Sequence, residues 1–246
     1  MTSGATDPKL AERAQSRDAE ELLGVAHHSA LTEEIALALL TRRDLPGNVI
    51  EAISRNIALL KNRKVKLAIA SHPKTPRHVS LPVARHLYTF DLVKIALMPA
   101  VPTDIKVGVD EMIISRLEQI SSGERLTLAK QASGRVAGAL LLDSEERIIE
   151  AALKNPKMTE SIVIKALNQK KVQPRSVHLV CENETWSLRR DIRLALLRNE
   201  HTPLAQAIKF AGGLPDHLVR EVLSRSKLMP HIKNYLLATL EQKANS

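Results

Sequence analysis

Between positions 186 and 193 the chain sets one aromatic ring and one carboxylate among three guanidinium groups: Trp186, Asp191, Arg189, Arg190 and Arg193. An aromatic and an acid in basic surroundings are the best enzymatic candidate that the sequence offers. The spacing speaks against it. A five-residue step places Trp186 and Asp191 on different faces of a helix, and one tryptophan is too few to line an aromatic pocket. The simpler reading is a tryptophan that covers the junction of two units and an aspartate in a surface ion pair.

Other chemistry is sparse. The nine histidines are His27, His28, His72, His78, His86, His178, His201, His217 and His231. None forms a His-x-x-x-His pair with a glutamate, and no cysteine pair supports them, so no zinc site is expected. Gly212 and Gly213 lack the glycine and lysine of a phosphate loop. There is no Gly-x-Ser-x-Gly elbow. Cys181 stands alone and reads as a small core residue. No catalytic residue, metal or cofactor is expected.

Charge is the stronger signal. The net charge is +9 and unevenly placed. Residues 1–34 are acidic, whereas 61–106 and 154–198 are basic. Arg55, Lys154 and Arg198 each precede an asparagine that ends a helix, where a cation complements the helix dipole. Lys61, Arg63, Lys64 and Lys66, with Lys170, Lys171, Arg189, Arg190 and Arg193, form either a solvated face or an anion-binding surface.

The elements that carry these residues are written in a repeated phrase. Val65, Ala68, Ile69 and His72 recur as Ile148, Ala151, Ala152 and Asn155, then as Ile192, Ala195, Leu196 and Asn199. Apolar residues seven, four and three before the polar stop share one helix face. The stop is expected to take the left-handed conformation that Asn tolerates. The Thr-Pro at 75–76 and 202–203 is expected to cap and open the next helix.

From 72 to 155 is 83, from 155 to 199 is 44, and from a degraded copy at His28 to His72 is again 44. Taking 83 as two units gives a period of about 42–44, the length of a two-helix unit. The copy due near residue 114 is not recognisable, and one at Val49, Ala52, Ile53 and Asn56 is out of register. Thr75, Pro76, Leu87, Ile105 and Lys106 recur 127 residues later as Thr202, Pro203, Leu214, Ile232 and Lys233.

In chain order, 1–6 reads as a loose tail, and Lys9 to about Gly24 as one helix ended by the glycine. Thr32, Pro46, Pro102 or Thr103, Thr159, Pro174, Ser187, Pro203, Pro215 and Pro230 open helices. The helix from 102 or 103 is expected to reach about Gln119, and that from Thr159 to reach Lys170. Residues 58–71 read as continuous helix. Pro82 is expected to force a second start capped by Ser80. Ser121 with Glu124, and Asp143 with Glu146, match the capping box. The last helix is expected to fray after about Leu240, over 241–246.

The whole, 1–246, reads as a single all-α domain: an α-solenoid of short antiparallel helix pairs, without sheet, in a right-handed curved stack of at least twelve helices. With 2% aromatics, Ala, Leu, Ile and Val must fill the core. The lone cysteine fits a reducing compartment. The opening residues carry no basic and apolar signal segment, and no apolar run is long enough to span a bilayer. A cytoplasmic location is expected.

The phrase, with its apolar-Ala-apolar run, Asn-Pro stop and Thr-Pro restart, resembles the leucine-rich-repeat variant and related HEAT-like bacterial repeats over roughly 20 to 203. Some relatives of that kind carry a cysteine cluster for an iron–sulfur centre, which Cys181 alone cannot supply. The resemblance implies architecture and no activity. The 186–193 region is similar, in residue types only, to HEAT-like DNA glycosylases.

Two function classes follow. The first is a non-catalytic scaffold for a protein or peptide partner, because solenoids expose extended surfaces. The second is a nucleic-acid binder using shape and phosphate contacts, supported by charge and opposed by the lack of aromatics for stacking. A glycosylase is a distant third.

Overall fold

The computed structural model describes residues 8–244, and among them the chain is helical with no strand. Where one domain was expected, it divides into two compact units, Met1–Glu118 and Gln119–Ser246. The first holds α1 (Pro8–Arg13), α2 (Ala19–Ala26), α3 (Glu33–Leu40), α4 (Gly47–Ser54), a 3₁₀ turn (Leu59–Lys61), α5 (Arg63–Ser71), α6 (Arg77–Ala84), α7 (Thr89–Leu97) and α8 (Thr103–Ser115). The second holds α9 (Ser122–Gln131), α10 (Gly134–Leu140), α11 (Glu146–Leu153), α12 (Glu160–Leu167), α13 (Pro174–Glu182), α14 (Glu184–Ser187), α15 (Arg190–Leu196), α16 (Leu204–Gly212), α17 (Asp216–Ser224) and α18 (Pro230–Ala244). The tail expected over 1–6 lies outside the described residues. Helix α18 continues past Leu240 to Ala244, and 245–246 lie outside.

Helices this short are unstable alone, so burial must hold them. Alternate helices pack: α2 on α4, α3 on α5, α5 on α7 and α6 on α8 in the first unit, and α9 on α11, α10 on α12 and α11 on α13 in the second. The phrase supplies the buried faces: Val65 and Ile69 in α5, Ile148, Ala151 and Ala152 in α11, and Ile192, Ala195 and Leu196 in α15. Ala68 departs from the pattern. It is only half-buried, and Ala70 takes the enclosed place.

The polar stop works differently from the expectation. No described residue other than glycine has positive φ, so none of the stops is left-handed. Each instead uses two polar atoms. One accepts an N–H two residues on, and the other reaches a helix end some 30 residues back. Asn155 accepts from Lys157 at 2.8 Å and donates through Nδ2 to the Ala129 carbonyl at 2.8 Å. Asn199 accepts from His201 at 3.0 Å and donates to Leu167 at 2.8 Å. His72 copies this order with its ring. Nδ1 accepts from Lys74 at 3.1 Å, which leaves the proton on Nε2 to meet the Arg42 carbonyl at 2.8 Å. Carbonyls orphaned at one helix end are thus satisfied from a later turn. Thr75 and Thr202 also act backwards: rather than capping the next helix, each hydroxyl donates to the carbonyl six residues earlier, Ile69 and Leu196, at 2.7 and 2.6 Å.

Several boundaries move, some through a local cap and some through a side chain distant in sequence. Asp18 accepts from Glu20 and starts α2, so Lys9 to Gly24 is two helices with Gly24 inside the second. Asn62 accepts from Lys64 and splits 58–71. Asn183 accepts from Thr185 and Trp186, and Arg189 rather than Ser187 precedes α15. Asp143 accepts from Glu145, inside the loop, while the box at Ser121 and Glu124 forms as expected. Helix α6 runs through Pro82 because that ring is exposed, and the carbonyl it leaves free belongs to the exposed His78. Ser80 caps nothing; its hydroxyl donates to Ala70 at 2.8 Å. Helix α8 stops at Ser115, where Arg116 turns its guanidinium to the carbonyls of Leu87 and Arg85. Helix α12 stops at Leu167, whose carbonyl Asn199 takes.

The helix starts show how the repeats are built. Helices α2, α3, α4, α5, α6, α7 and α8 begin at 19, 33, 47, 63, 77, 89 and 103. Helices α11, α12, α13, α15, α16, α17 and α18 begin at 146, 160, 174, 190, 204, 216 and 230, each 127 later. His28, Asn56 and His72 stand 127 before Asn155, Asn183 and Asn199. The 44-residue step spans three longer helices, with a 3₁₀ turn or the short α14 before the third, rather than a two-helix unit, and 83 is what remains of 127 beyond it. That is why no copy exists near 114, which lies inside α8. The chain is a tandem duplication without a gap from 19 onward.

Candidate binding groove

The nine basic residues singled out by sequence divide into two sets. Three serve as joints between elements. Arg63, first residue of α5, grips the Asp91 carboxylate on α7 with Nε and Nη2, both at 2.7 Å, and lies over the Tyr88 ring at 4.9 Å. Asp91 is 1% exposed, and the hydrogen-bonded Arg63 guanidinium holds its carboxyl below the usual carboxylate range, with Lys94 assisting at 3.8 Å. Arg189 pairs with Glu160 at 3.3 Å and lies over Trp186 at 4.9 Å. Arg193 donates to the Ser187 carbonyl at 2.8 Å. The other six, Lys61, Lys64, Lys66, Lys170, Lys171 and Arg190, make no ion pair among the described residues.

Trp186 is a packing residue. It is buried, and its indole N–H donates to the Leu153 carbonyl of α11 at 2.9 Å. Asp191 is exposed and makes no ion pair among the described residues, so the expected surface pair is not formed. Burial pushes the Cys181 thiol up to about 12, with Glu182 adding to it, which leaves no thiolate at neutral pH. Among the described residues, no helix is long and apolar enough to cross a membrane, and no three His, Cys, Asp or Glu side chains are placed to hold a metal.

The first unit carries a groove of about 540 Å³ between α4, the 3₁₀ turn, α5 and α6. Leu60, Val79, Pro82 and Val83 make it apolar, and Ile57 beside them is 77% exposed. Arg55, Lys61, Lys66, His78 and His86 also line it, against one carboxylate, Glu51. Arg55 and His78 both lean on Glu51, at 2.7 and 3.6 Å, so Lys61 and Lys66 remain uncompensated. Turn geometry explains why Ile57 is left outside. Asn56 accepts from the N–H groups of Ala58 and Leu59, and the bend sends Leu59 inward.

The duplicated positions of the second unit are occupied otherwise. Arg55, Ile57 and Lys61 correspond to Glu182, Glu184 and Leu188, while His78, Val83 and His86 correspond to Ala205, Phe210 and Gly213. Arg193, in the place of Lys66, runs from the Ser187 carbonyl to Gly213, where its Nη1 would lie 2.7 Å from an added Cβ. Those two contacts are the counterparts of Leu60 and His86, so the guanidinium bridges the place where the first unit is open.

By residue type Lys61 and Lys66 stand out for their charge and Arg55 for the helix dipole, while nothing in type or local spacing marks Ile57, His78 or His86 as groove residues. The 127-residue offset marks them: Ile57 against Glu184 and His86 against Gly213 are among the places where the halves differ in kind. The chain matches no family model, no curated protein and no solved structure.

Proposed function

We propose that this protein is a non-catalytic helical-repeat scaffold, of the HEAT-like and leucine-rich-repeat-variant kind, that holds a protein or peptide partner in the groove of its first unit. The observation that carries this reading is Ile57. A large aliphatic side chain 77% exposed, beside the apolar lining of Leu60, Val79, Pro82 and Val83, extends that lining into an apolar surface of the kind that marks an interaction site. The lone buried cysteine supports a cytoplasmic setting. Binding to nucleic acid is the weaker reading, because Arg63, Arg189 and Arg193 are spent on internal contacts and few exposed aromatics offer a stacking surface.

A photo-crosslinking residue placed at Ile57, and in a second variant at Glu184, tests the reading in the native cell. Adducts are expected from position 57 alone, sensitive to protease and resistant to nuclease. A nuclease-sensitive adduct, or equal adducts from both positions, refutes it.

A further inference from the structure

We infer that the partner held in this groove is an acidic segment with an aliphatic or aromatic anchor side chain; this rests on the scaffold reading and narrows it. The charge balance sets the sign. Lys61 and Lys66 lie on the groove without a carboxylate, and Arg55 shares Glu51 with His78. A partner carboxylate meets two free ammonium groups there, and it can compete for the Arg55 guanidinium. The apolar lining of Leu60, Val79 and Val83 next to exposed Ile57 requires more than charge, since a purely ionic ligand would leave that surface wet. A chain bearing both acids and an apolar side chain satisfies both halves of the site.

The second unit serves as a comparison within the same molecule. At the duplicated positions Arg55, Ile57 and Lys61 become Glu182, Glu184 and Leu188, and Arg193 spans the opening. An acidic segment would meet the carboxylates of Glu182 and Glu184 there in place of Arg55 and Ile57, and its anchor would find the space bridged. The two units share their helix register and differ in this feature, so the open basic groove belongs to the first unit's own sequence rather than to the repeat.

The test uses the full chain and short fluorescein-labelled peptides of equal length: glutamate with leucine, glutamine with leucine, and glutamate with serine. A DNA duplex is a fourth probe. The glutamate–leucine peptide is expected to bind at least about tenfold more tightly than either other peptide, and to weaken as salt rises. A triple variant, Arg55→Glu, Ile57→Glu and Lys61→Leu, installs the second unit's residues at these positions. It should lose at least about tenfold in affinity while its circular dichroism stays that of the parent. The variant Lys170→Glu with Lys171→Glu, which do not line the groove, should bind as the parent does. Equal binding of the glutamate and glutamine peptides, or unchanged affinity in the triple variant, overturns the acidic occupant. If the position-57 adduct is nonetheless a protein, the scaffold reading survives with a partner of other chemistry. Duplex DNA bound as tightly as the acidic peptide, and lost in the triple variant, overturns both.

Discussion

Replacing Asn155 tests the long-range staple that the repeated phrase encodes. The side chain is 4% exposed and makes three hydrogen bonds: to the carbonyls of Ala129 at 2.8 Å and Ala132 at 3.3 Å, and from the N–H of Lys157 at 2.8 Å. Asn155→Leu keeps the size and removes all three. The Lys157 N–H can turn to water, since that residue is exposed, but the two carbonyls at the end of α9 cannot easily do so. At about 1–3 kcal/mol for an unsatisfied buried group, the cost should be about 3 kcal/mol, or about 6–12 °C in Tm for a chain of this length. Asn155→His restores the acceptor-then-donor order that His72 shows, and should recover more than half of the loss. Asn155→Asp keeps the shape and the acceptor but points a charge at two carbonyl oxygens. It should be at least as damaging as leucine at neutral pH and improve on acidification, because only the folded state disfavours that carboxylate. Urea unfolding followed by Trp186 fluorescence is the assay. Trp186 is the chain's single tryptophan, and its indole is bound to Leu153, two residues from the mutated site. The order expected is Asn, His, Leu, with Asp at or below Leu. If leucine unfolds with the parent's midpoint, or above histidine, the staple is not what holds α9 to the following turn.

Two further outcomes follow from single residues. Asp91 has its carboxyl lowered by Arg63 in the fold, so its contribution to stability is present at neutral pH and is lost as pH falls through that lowered value. The stability of Asp91→Asn should therefore vary less between about pH 5 and 2 than the parent's, and parallel pH profiles would refute the coupling. Ser176 is buried with a hydroxyl that meets no partner, and its duplicate in the first unit is the fully buried Val49. Ser176→Val should raise the second unit's unfolding midpoint by an amount worth about 1 kcal/mol, and a lowered midpoint would show that the hydroxyl is satisfied by water.

What could be read along the chain was whatever physics acts within a helical turn or two. Thr32 accepting from Ile35, the box at Ser121 and Glu124, and prolines at 203, 215 and 230 opening α16, α17 and α18 are local competitions for free N–H groups, and neighbouring residues settle them. The apolar spacing before each stop likewise marks a buried face by itself. The phrase was therefore legible as a helix end, but the destination of its amide was not. The Nδ2 of Asn199 ends on a carbonyl 32 residues back, and linear order does not say which helix end will lie beside it. The same holds for the basic residues. Arg63 and Lys66 stand three apart and read alike, yet one meets a buried carboxylate 28 residues on and the other faces open space. Whether a cation is a joint or a contact depends on what packing brings within about 3 Å of it. So the all-helical repeat was determined by local pattern, while the open groove, and its bridging by Arg193 in the duplicate, was decided only where helices distant in sequence meet.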